Sequence, residues 1–472
     1  MRKPKSDLNG KPVHKALFQI GAPMSVGIFS VLAIGLADAF FLARAGETEL
    51  TAVGFVYPVI VAISAFSVGL AAGANTALSQ AHGRGCTQDQ IAQMTLHAVL
   101  FGLSIGLILG FGFWLISPWL FAQLGAQNAV LDNVLSYVPF WAASFPVLVV
   151  TMIVNAGFRA TGDGVTASAV MLLTAVLNIA ATPVLVFGIG PAPEMGMSGA
   201  GLATLLARSL AVVLVIFLAV RSGLLVAGFT VLKGFFASIT EIVTVALPAA
   251  MSRAINPLGM AAVTAIVATL GDAAVAGFGA ASRVQAIALV PFFALAAGLS
   301  PTVGQAWGAS DKKRARDAMK AATVFVLGYG LILGALLMVF ADPISGAMTA
   351  NGRAAAFTAD YLRIVGFSLA GYGLTIAANA AMTGRSRAGS AMMLSLARIL
   401  VIYVPFAFVG AHAFGFTGVA AAAALANVFA IWGALVALRV TDIEPVAFTV
   451  ITRPADWLSG RLMHGTRTAH QQ

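Results

Sequence analysis

Charge is what this sequence has least of. Only 9% of its 472 residues are charged and 60% are hydrophobic, where a soluble chain carries roughly a quarter charged residues. That leaves too little polar surface to wet a globule, so the surrounding solvent must be lipid. The single cysteine, Cys86, excludes an internal disulfide and reads as a small loop residue that says nothing of redox compartment. His82, His97 and His412 fall in separate segments, and no His-Glu-x-x-His or Cys-x-x-Cys occurs, which excludes a clustered metal centre. No Gly-rich loop ending in Lys-Ser or Lys-Thr is present, so ATP is not the direct energy source, and no cofactor is implied. A membrane-embedded enzyme would need a paired nucleophile and base at one depth; without those parts the chain does not read as an enzyme. A channel would need a ring of like charge or a repeated carbonyl filter, and neither is seen.

What the chain does have is apolar runs long enough to cross about 30 Å of hydrocarbon. Twelve can be marked, near 16–43, 53–80, 91–116, 131–156, 165–188, 198–220, 238–268, 274–305, 317–341, 356–382, 389–411 and 416–438. Lipid offers no partner for backbone groups, and runs of this length without alternating polar residues are not barrel strands, so each is a helix. The fold class expected is an all-α membrane protein with twelve transmembrane helices. The apolar stretch from Ala16 is too long for a cleaved leader and reads as an uncleaved first span. The +10 net charge is scattered through short loops without interleaved aromatics, which argues against nucleic acid. Its distribution carries topology instead. Arg84, Arg159, Arg221, Lys312, Lys313, Arg314, Arg316, Lys320, Arg385 and Arg387, with the basic N-terminus and the tail arginines, fall on one side; the other holds Arg44, Arg353 and Arg363. The positive-inside rule then expects both termini in the cytoplasm and the chain in a bacterial inner membrane.

Sliding the sequence against itself by 225 positions reveals an internal repeat. Pro23 falls on Pro248, Gly46 on Gly271, Gly54 on Gly279, Gln80 on Gln305 and Gly83 on Gly308. With small register changes Tyr137 meets Tyr361, Asn155 meets Asn379, Gly162 meets Gly384 and Pro183 meets Pro405. Six spans per copy is an even number, so both halves enter the membrane the same way round, and their symmetry axis lies along the membrane normal. The division expected is an N-terminal cytoplasmic segment 1–15, a six-helix bundle 16–220, a cytoplasmic linker 221–237, a parallel six-helix bundle 238–438 and a cytoplasmic tail 439–472. Two parallel bundles with a cleft between them suit alternating access.

Several stretches together carry a family resemblance. Gly35 to Phe41 followed by Gly46 to Gly54, the helix ends Ser79 to Gly83 and Gly304 to Asp311, and Gly196 to Thr204 resemble, in order and spacing, the multidrug and toxic compound extrusion (MATE) family. The resemblance covers nearly all of 16–440 and implies a secondary transporter. Asp38 is the one carboxylate inside an apolar span of the N-terminal half. It lies about 8 Å deep at ~1.5 Å per residue, where an ionisable group is costly and is a functional-site hypothesis by default. Pairing with Arg44 at the interface is the structural alternative. The resemblance assigns Asp38 to cation coupling, with Asn178 and Thr182, one helical turn apart, and Thr204 completing that site. It also assigns Met171 and Asn155 to a substrate chamber and Pro23 to a kink in helix one.

The C-terminal half departs from the pattern of NorM-like members, which have carboxylates where this chain has Asn256 and Tyr372; the resemblance is to the DinF-like branch. Arg208, Arg253, Arg283 and Arg398 are intramembrane cations with no assigned role. The resemblance thus implies a monomeric antiporter that exports amphipathic, often cationic organic molecules against inward flow of a cation. A proton suits a lone carboxylate; sodium would need the oxygens of Asp38, Asn178, Thr182 and Thr204 together. The competing expectation is a flippase for lipids or lipid-linked sugars on the same fold, which the arginines would suit by binding a pyrophosphate head group.

Overall fold

The computed structural model describes residue 8 and residues 10–226, 234–349 and 352–443. Most of the expected N-terminal segment, the middle of the linker and the tail from 444, with Arg2, Lys3, Lys5, Lys233, Arg453, Arg461 and Arg467, lie outside the described residues. Every regular element described is helical. The N-terminal half holds α1 (Val13–Ala45), α2 (Glu47–Gly83), α3 (Gln88–Gln123), α4 (Asn128–Ala160), α5 (Gly164–Phe187) and α6 (Gly196–Ser222). The C-terminal half holds α7 (Phe235–Ala268), α8 (Asp272–Ala288), α9 (Val290–Gly308), α10 (Lys312–Val339), α11 (Ala341–Met348), α12 (Gly352–Val365), α13 (Leu369–Gly384), α14 (Ala388–Leu396) and α15 (Val404–Val440). A 3-10 turn at Gly366–Ser368 joins α12 to α13, and a π-helical segment at Ala397–Tyr403 joins α14 to α15.

The helix starts are written locally. Thr87 forms a capping box with Gln90 at the head of α3. Asp163 accepts the Thr166 amide at the head of α5, and Asp311 accepts the Arg314 amide at the head of α10. Large apolar side chains such as Phe18, Ile108, Phe111, Leu331, Val401 and Trp432 remain exposed around the outside. On a water-soluble protein a patch of this extent would be an aggregation surface; on helices of this length it is the lipid face.

Among the described residues, ten helices are long and apolar enough to cross a membrane, or eleven when α8 and α9, bent by 42° at Leu289, count as one span. The twelve expected are therefore not counted directly. The difference lies at 388–440, a single hydrogen-bonded run of 53 residues, about 80 Å if straight. It leaves helical geometry at Gly415, with φ 61° and ψ −140°. Gly410 and Gly418 pack backbone to backbone across that break. In a straight helix they would stand about 12 Å apart, so the chain folds back there.

Buried side chains form two main clusters, one drawn almost wholly from the N-terminal half and one from the C-terminal half. Each lobe thus has its own core. In the first, Trp141 packs edge-on against Phe113 with ring centroids 5.5 Å apart; in the second, Phe292 does the same against Tyr329 at 5.2 Å. The lobes meet where Gly69 and Gly73 of α2 lie against Ala246 and Ala250 of α7. Side-chain hydrogen bonds join them at one end: Thr76 to the Thr383 carbonyl at 3.0 Å, Gln80 to Gly384 at 2.8 Å, Gln305 to Ala160 at 2.7 Å and Arg84 to Glu241 at 3.1 Å. Near the pseudo-twofold axis Ser300 donates to its repeat-mate Asn75 at 3.4 Å.

Candidate functional site

Of the residues singled out in the sequence, Asp38, Asn178, Thr182 and Thr204 come together between α1, α5 and α6. Asp38 sits about two turns before the end of α1 and is half-buried. Its Oδ1 accepts from Thr182 Oγ1 at 3.1 Å. The same hydroxyl lies 2.9 Å from the Asn178 carbonyl one turn back on α5, so one proton serves two acceptors. Asn178 is 1% exposed, and its Nδ2 donates to Thr204 Oγ1 on α6 at 3.2 Å. Thr204 spends its own proton on the Ala200 carbonyl at 3.1 Å, which fixes the direction of that bond. Asn178 Oδ1 is thereby left buried without a partner. An unmatched buried acceptor is costly and needs an explanation.

Two residues complete the site that the sequence reading did not assign to it. Tyr137 of α4 is buried beside Thr204, within electrostatic reach of Asp38. Arg208 of α6 is likewise within electrostatic reach of Asp38, and its Nη1 donates to Ser144 Oγ at 2.7 Å. Asp38 and Arg208 are not in salt-bridge contact. Arg208 lies one turn beyond Thr204, and that i, i+4 spacing was the available signal for it. Arg44, the structural alternative for Asp38, instead stacks over the Phe40 ring at 4.3 Å.

The other expected residues lie elsewhere. Pro23 is in the interior of α1, which runs unbroken through it, and its carbonyl accepts from Ser168 of α5. Met171 packs its sulfur against Gly27 where α1 and α5 touch. Asn155 is 4% exposed, with its Oδ1 unpartnered. It sits eighteen residues along α4 from Tyr137, about 27 Å at the helical rise, so it does not belong to the Asp38 group. Arg283 projects from α8 with an exposed side chain. Arg253 is on α7, and Arg398, in the π-helical segment, is bonded to Asn256 and Asn427. Among the described residues no three His, Cys, Asp or Glu side chains gather as a metal site.

The chemistry of the first-lobe group is that of a single carboxylate with oxygen neighbours and a nearby guanidinium. It can hold one small cation, and its net charge changes by one when it does.

Comparison with known proteins agrees with this architecture. The MatE family model matches residues 23–184 and again residues 248–409, so the second match begins at the repeat-mate of the residue that opens the first. The FAD transporter of Shewanella oneidensis is 30% identical over 428 residues, 90% of this chain and 94% of that protein. The multidrug export protein MepA of Staphylococcus aureus is 22% identical over 412 residues, 86% of this chain and 89% of that one. The crystal structure of the Vibrio cholerae MATE transporter VcmN in its bent form superposes with a TM-score of 0.85 at 27% identity, covering 91% of this chain and 97% of that chain. With both lobes matched by the family model and the fold shared, this chain belongs to the MATE family of membrane transporters.

Proposed function

We propose that this transporter is a cation-coupled exporter of amphipathic organic molecules, with Asp38 as the coupling group and a proton as the ion. The observation that carries the reading is the Thr182 hydroxyl placed between Asp38 Oδ1 and the Asn178 carbonyl. With Asp38 ionised, the hydroxyl donates to it; with Asp38 protonated, the hydroxyl turns to Asn178 and accepts from the carboxyl. Both charge states keep a partner, so neither pays for an unmatched polar group. Neutralising Asp38 also removes its attraction for Arg208, which changes what holds α1 toward α6. Sodium is the second reading for the ion, favoured by the unpartnered Asn178 Oδ1. Asn256 and Tyr372, in place of carboxylates, support the DinF-like branch.

The loop charges support an inner-membrane protein with both termini cytoplasmic. The hydrogen-bonded junction of the lobes would then be the cytoplasmic end, and the structure an outward-open stage of the cycle. A cation reaching Asp38 from outside drives rearrangement of α1, contraction of the first-lobe chamber and release of cargo; the cation leaves to the cytoplasm after the lobes rock.

For the cargo a second reading has a specific observation behind it. Four arginines lie within the spans against one aspartate in the first lobe, and the Shewanella oneidensis relative is named an FAD transporter. Both favour an organic anion over a lipophilic cation, and the relative's name favours an anion of the FAD kind over a lipid-linked sugar. The deciding experiment loads sealed inverted vesicles with the protein, imposes proton and sodium gradients separately, and follows uptake of FAD and of a fluorescent lipophilic cation. Accumulation driven by a proton gradient is expected. Uptake indifferent to both gradients would overturn the coupling.

A further inference from the structure

Arg398 is a cation buried without a counter-charge. Its side chain is 8% exposed, held on a π-helical segment, a helix irregularity found often at functional sites. Nη1 donates to Asn427 Oδ1 at 3.1 Å, Nη2 donates to Asn256 Oδ1 at 2.9 Å, and the guanidinium lies 3.9 Å from the centre of the Tyr372 ring. All three partners are neutral: they orient the guanidinium and leave its charge uncancelled. Its Nε has no partner. Among the described residues no carboxylate lies within salt-bridge distance of Arg398 or of Arg253. A buried ion whose charge is unmatched is strongly disfavoured unless an opposite charge arrives.

The neighbours point the same way. Asn256 uses its Nδ2 on the Tyr372 hydroxyl at 2.7 Å, so the phenol oxygen accepts while its own proton is given to no acceptor among the described residues. Arg253 lies three residues before Asn256, on the same face of α7. It is exposed and within electrostatic reach of Tyr372 in its own lobe and of Arg159 in the other. Arg398 and Tyr372 are thus tied together through Asn256, Arg253 stands one helical turn from that asparagine, and no acid lies within salt-bridge distance of either arginine among the described residues. A phosphate offers both the charge and the several acceptor oxygens that such a set lacks, and guanidinium forks match it geometrically.

We propose that Arg398 and Arg253, with Asn256 and Tyr372 between them, form an anion site in the C-terminal lobe that takes the phosphate group of the transported molecule. This rests on the reading of the cargo as an organic anion. The first lobe then couples the ion while the second selects the cargo, which gives the two copies of the repeat different work.

The test is binding by the purified full chain in detergent, at fixed pH and with no gradient, so that a failure of cation coupling does not enter. The probes are riboflavin 5′-phosphate and riboflavin, the same ring with and without a phosphate, followed by flavin fluorescence. The phosphate form should bind about tenfold or more tightly than riboflavin, and inorganic pyrophosphate should displace it. Arg253→Gln should reduce that preference to within about threefold while riboflavin affinity changes less than about twofold. Because Arg398 is buried and its loss could unfold the lobe, Arg398→Lys is the companion variant; it keeps the charge, loses the fork and should give an intermediate preference. Equal affinity for the two flavins in the parent protein, binding of neither, or a full preference surviving in both variants would overturn the site.

Discussion

Gly83 and Gly308 stand at equivalent places in the two halves, and each presses on the backbone carbonyl of the glutamine three residues before the other: Gly83 on Gln305, Gly308 on Gln80. This reciprocity is the two-fold pattern of a self-complementary interface, made here within one chain. Each glutamine also donates to the opposite lobe, Gln80 to Gly384 at 2.8 Å and Gln305 to Ala160 at 2.7 Å. A side chain at either glycine would displace backbone rather than a flexible group, so the contact exists only if both positions lack Cβ.

Gly83→Val should therefore hold this end of the lobes apart. Overpacking of this kind costs about 1–3 kcal/mol, and every 1.4 kcal/mol is about tenfold in an equilibrium between closed and open forms. The native Cys86, half-buried three residues away, reports on it directly. Maleimide labelling of Cys86 should speed up several-fold and transport should fall. Unchanged labelling would show that the contact does not keep this end shut.

Asp38→Asn keeps the shape of the side chain and fixes it neutral. If the cation acts through this residue, the variant remains folded and binds cargo but loses gradient-driven export by at least about tenfold, while Asp38→Glu retains part of it with an altered pH profile. Export of a fluorescent substrate from cells with matched expression is the measurement. Parental rates in Asp38→Asn would move the coupling elsewhere.

Asn178→Ala removes the buried unpartnered oxygen and the donor to Thr204 together. The loss should weaken cation dependence of transport without loss of the folded protein in detergent. Thr204→Val breaks the same bond while leaving the Asn178 side chain, so comparing the two separates the free oxygen from the hydrogen bond. Cation dependence unchanged in both would reduce the pair to packing.

Gly415 holds φ 61° with ψ −140°, a combination strained for any residue with a side chain. Gly415→Ala should cost about 1–3 kcal/mol and lower the melting temperature in detergent by a few degrees. An unaltered melting temperature would mean that the chain does not turn back at this residue.

Topology is tested with a reporter active only in the periplasm. Fused after Gln472 it should be silent, and fused in the loop between α5 and α6 it should be active. The reverse pattern would invert the orientation drawn from loop charge.

How much of the site was legible depended on spacing. Asn178 and Thr182 could be paired before any coordinates because i and i+4 share a helical face, and Asp38 stood out because a carboxylate in hydrocarbon is costly. Arg208 was noticed but not placed, although its distance from Thr204 is the same one turn. Tyr137 carried a repeat signal as the mate of Tyr361 but none for the site, since a tyrosine in an apolar helix is as often core as site. Asn155 and Pro23, expected in a substrate chamber and a kink, stand apart from the Asp38 group, and spacing along the chain alone carries no further sign of their roles.

The sequence by itself determined the solvent, the helical secondary structure and the duplication, because each follows from local chemistry. An apolar run in lipid must satisfy its backbone internally, Asp163 and Asp311 cap the chain next to them, and matched prolines and glycines record a copied unit. Only the tertiary structure decided which helix faces meet. The break at Gly415, the Thr182 hydroxyl between two acceptors, the reciprocal glycine contact and the uncancelled charge of Arg398 all depend on groups tens to hundreds of residues apart or on a local departure from helical geometry. No helical or repeat period encodes those, since lipid rewards any apolar face alike and leaves small residues and a few polar contacts to choose the partner.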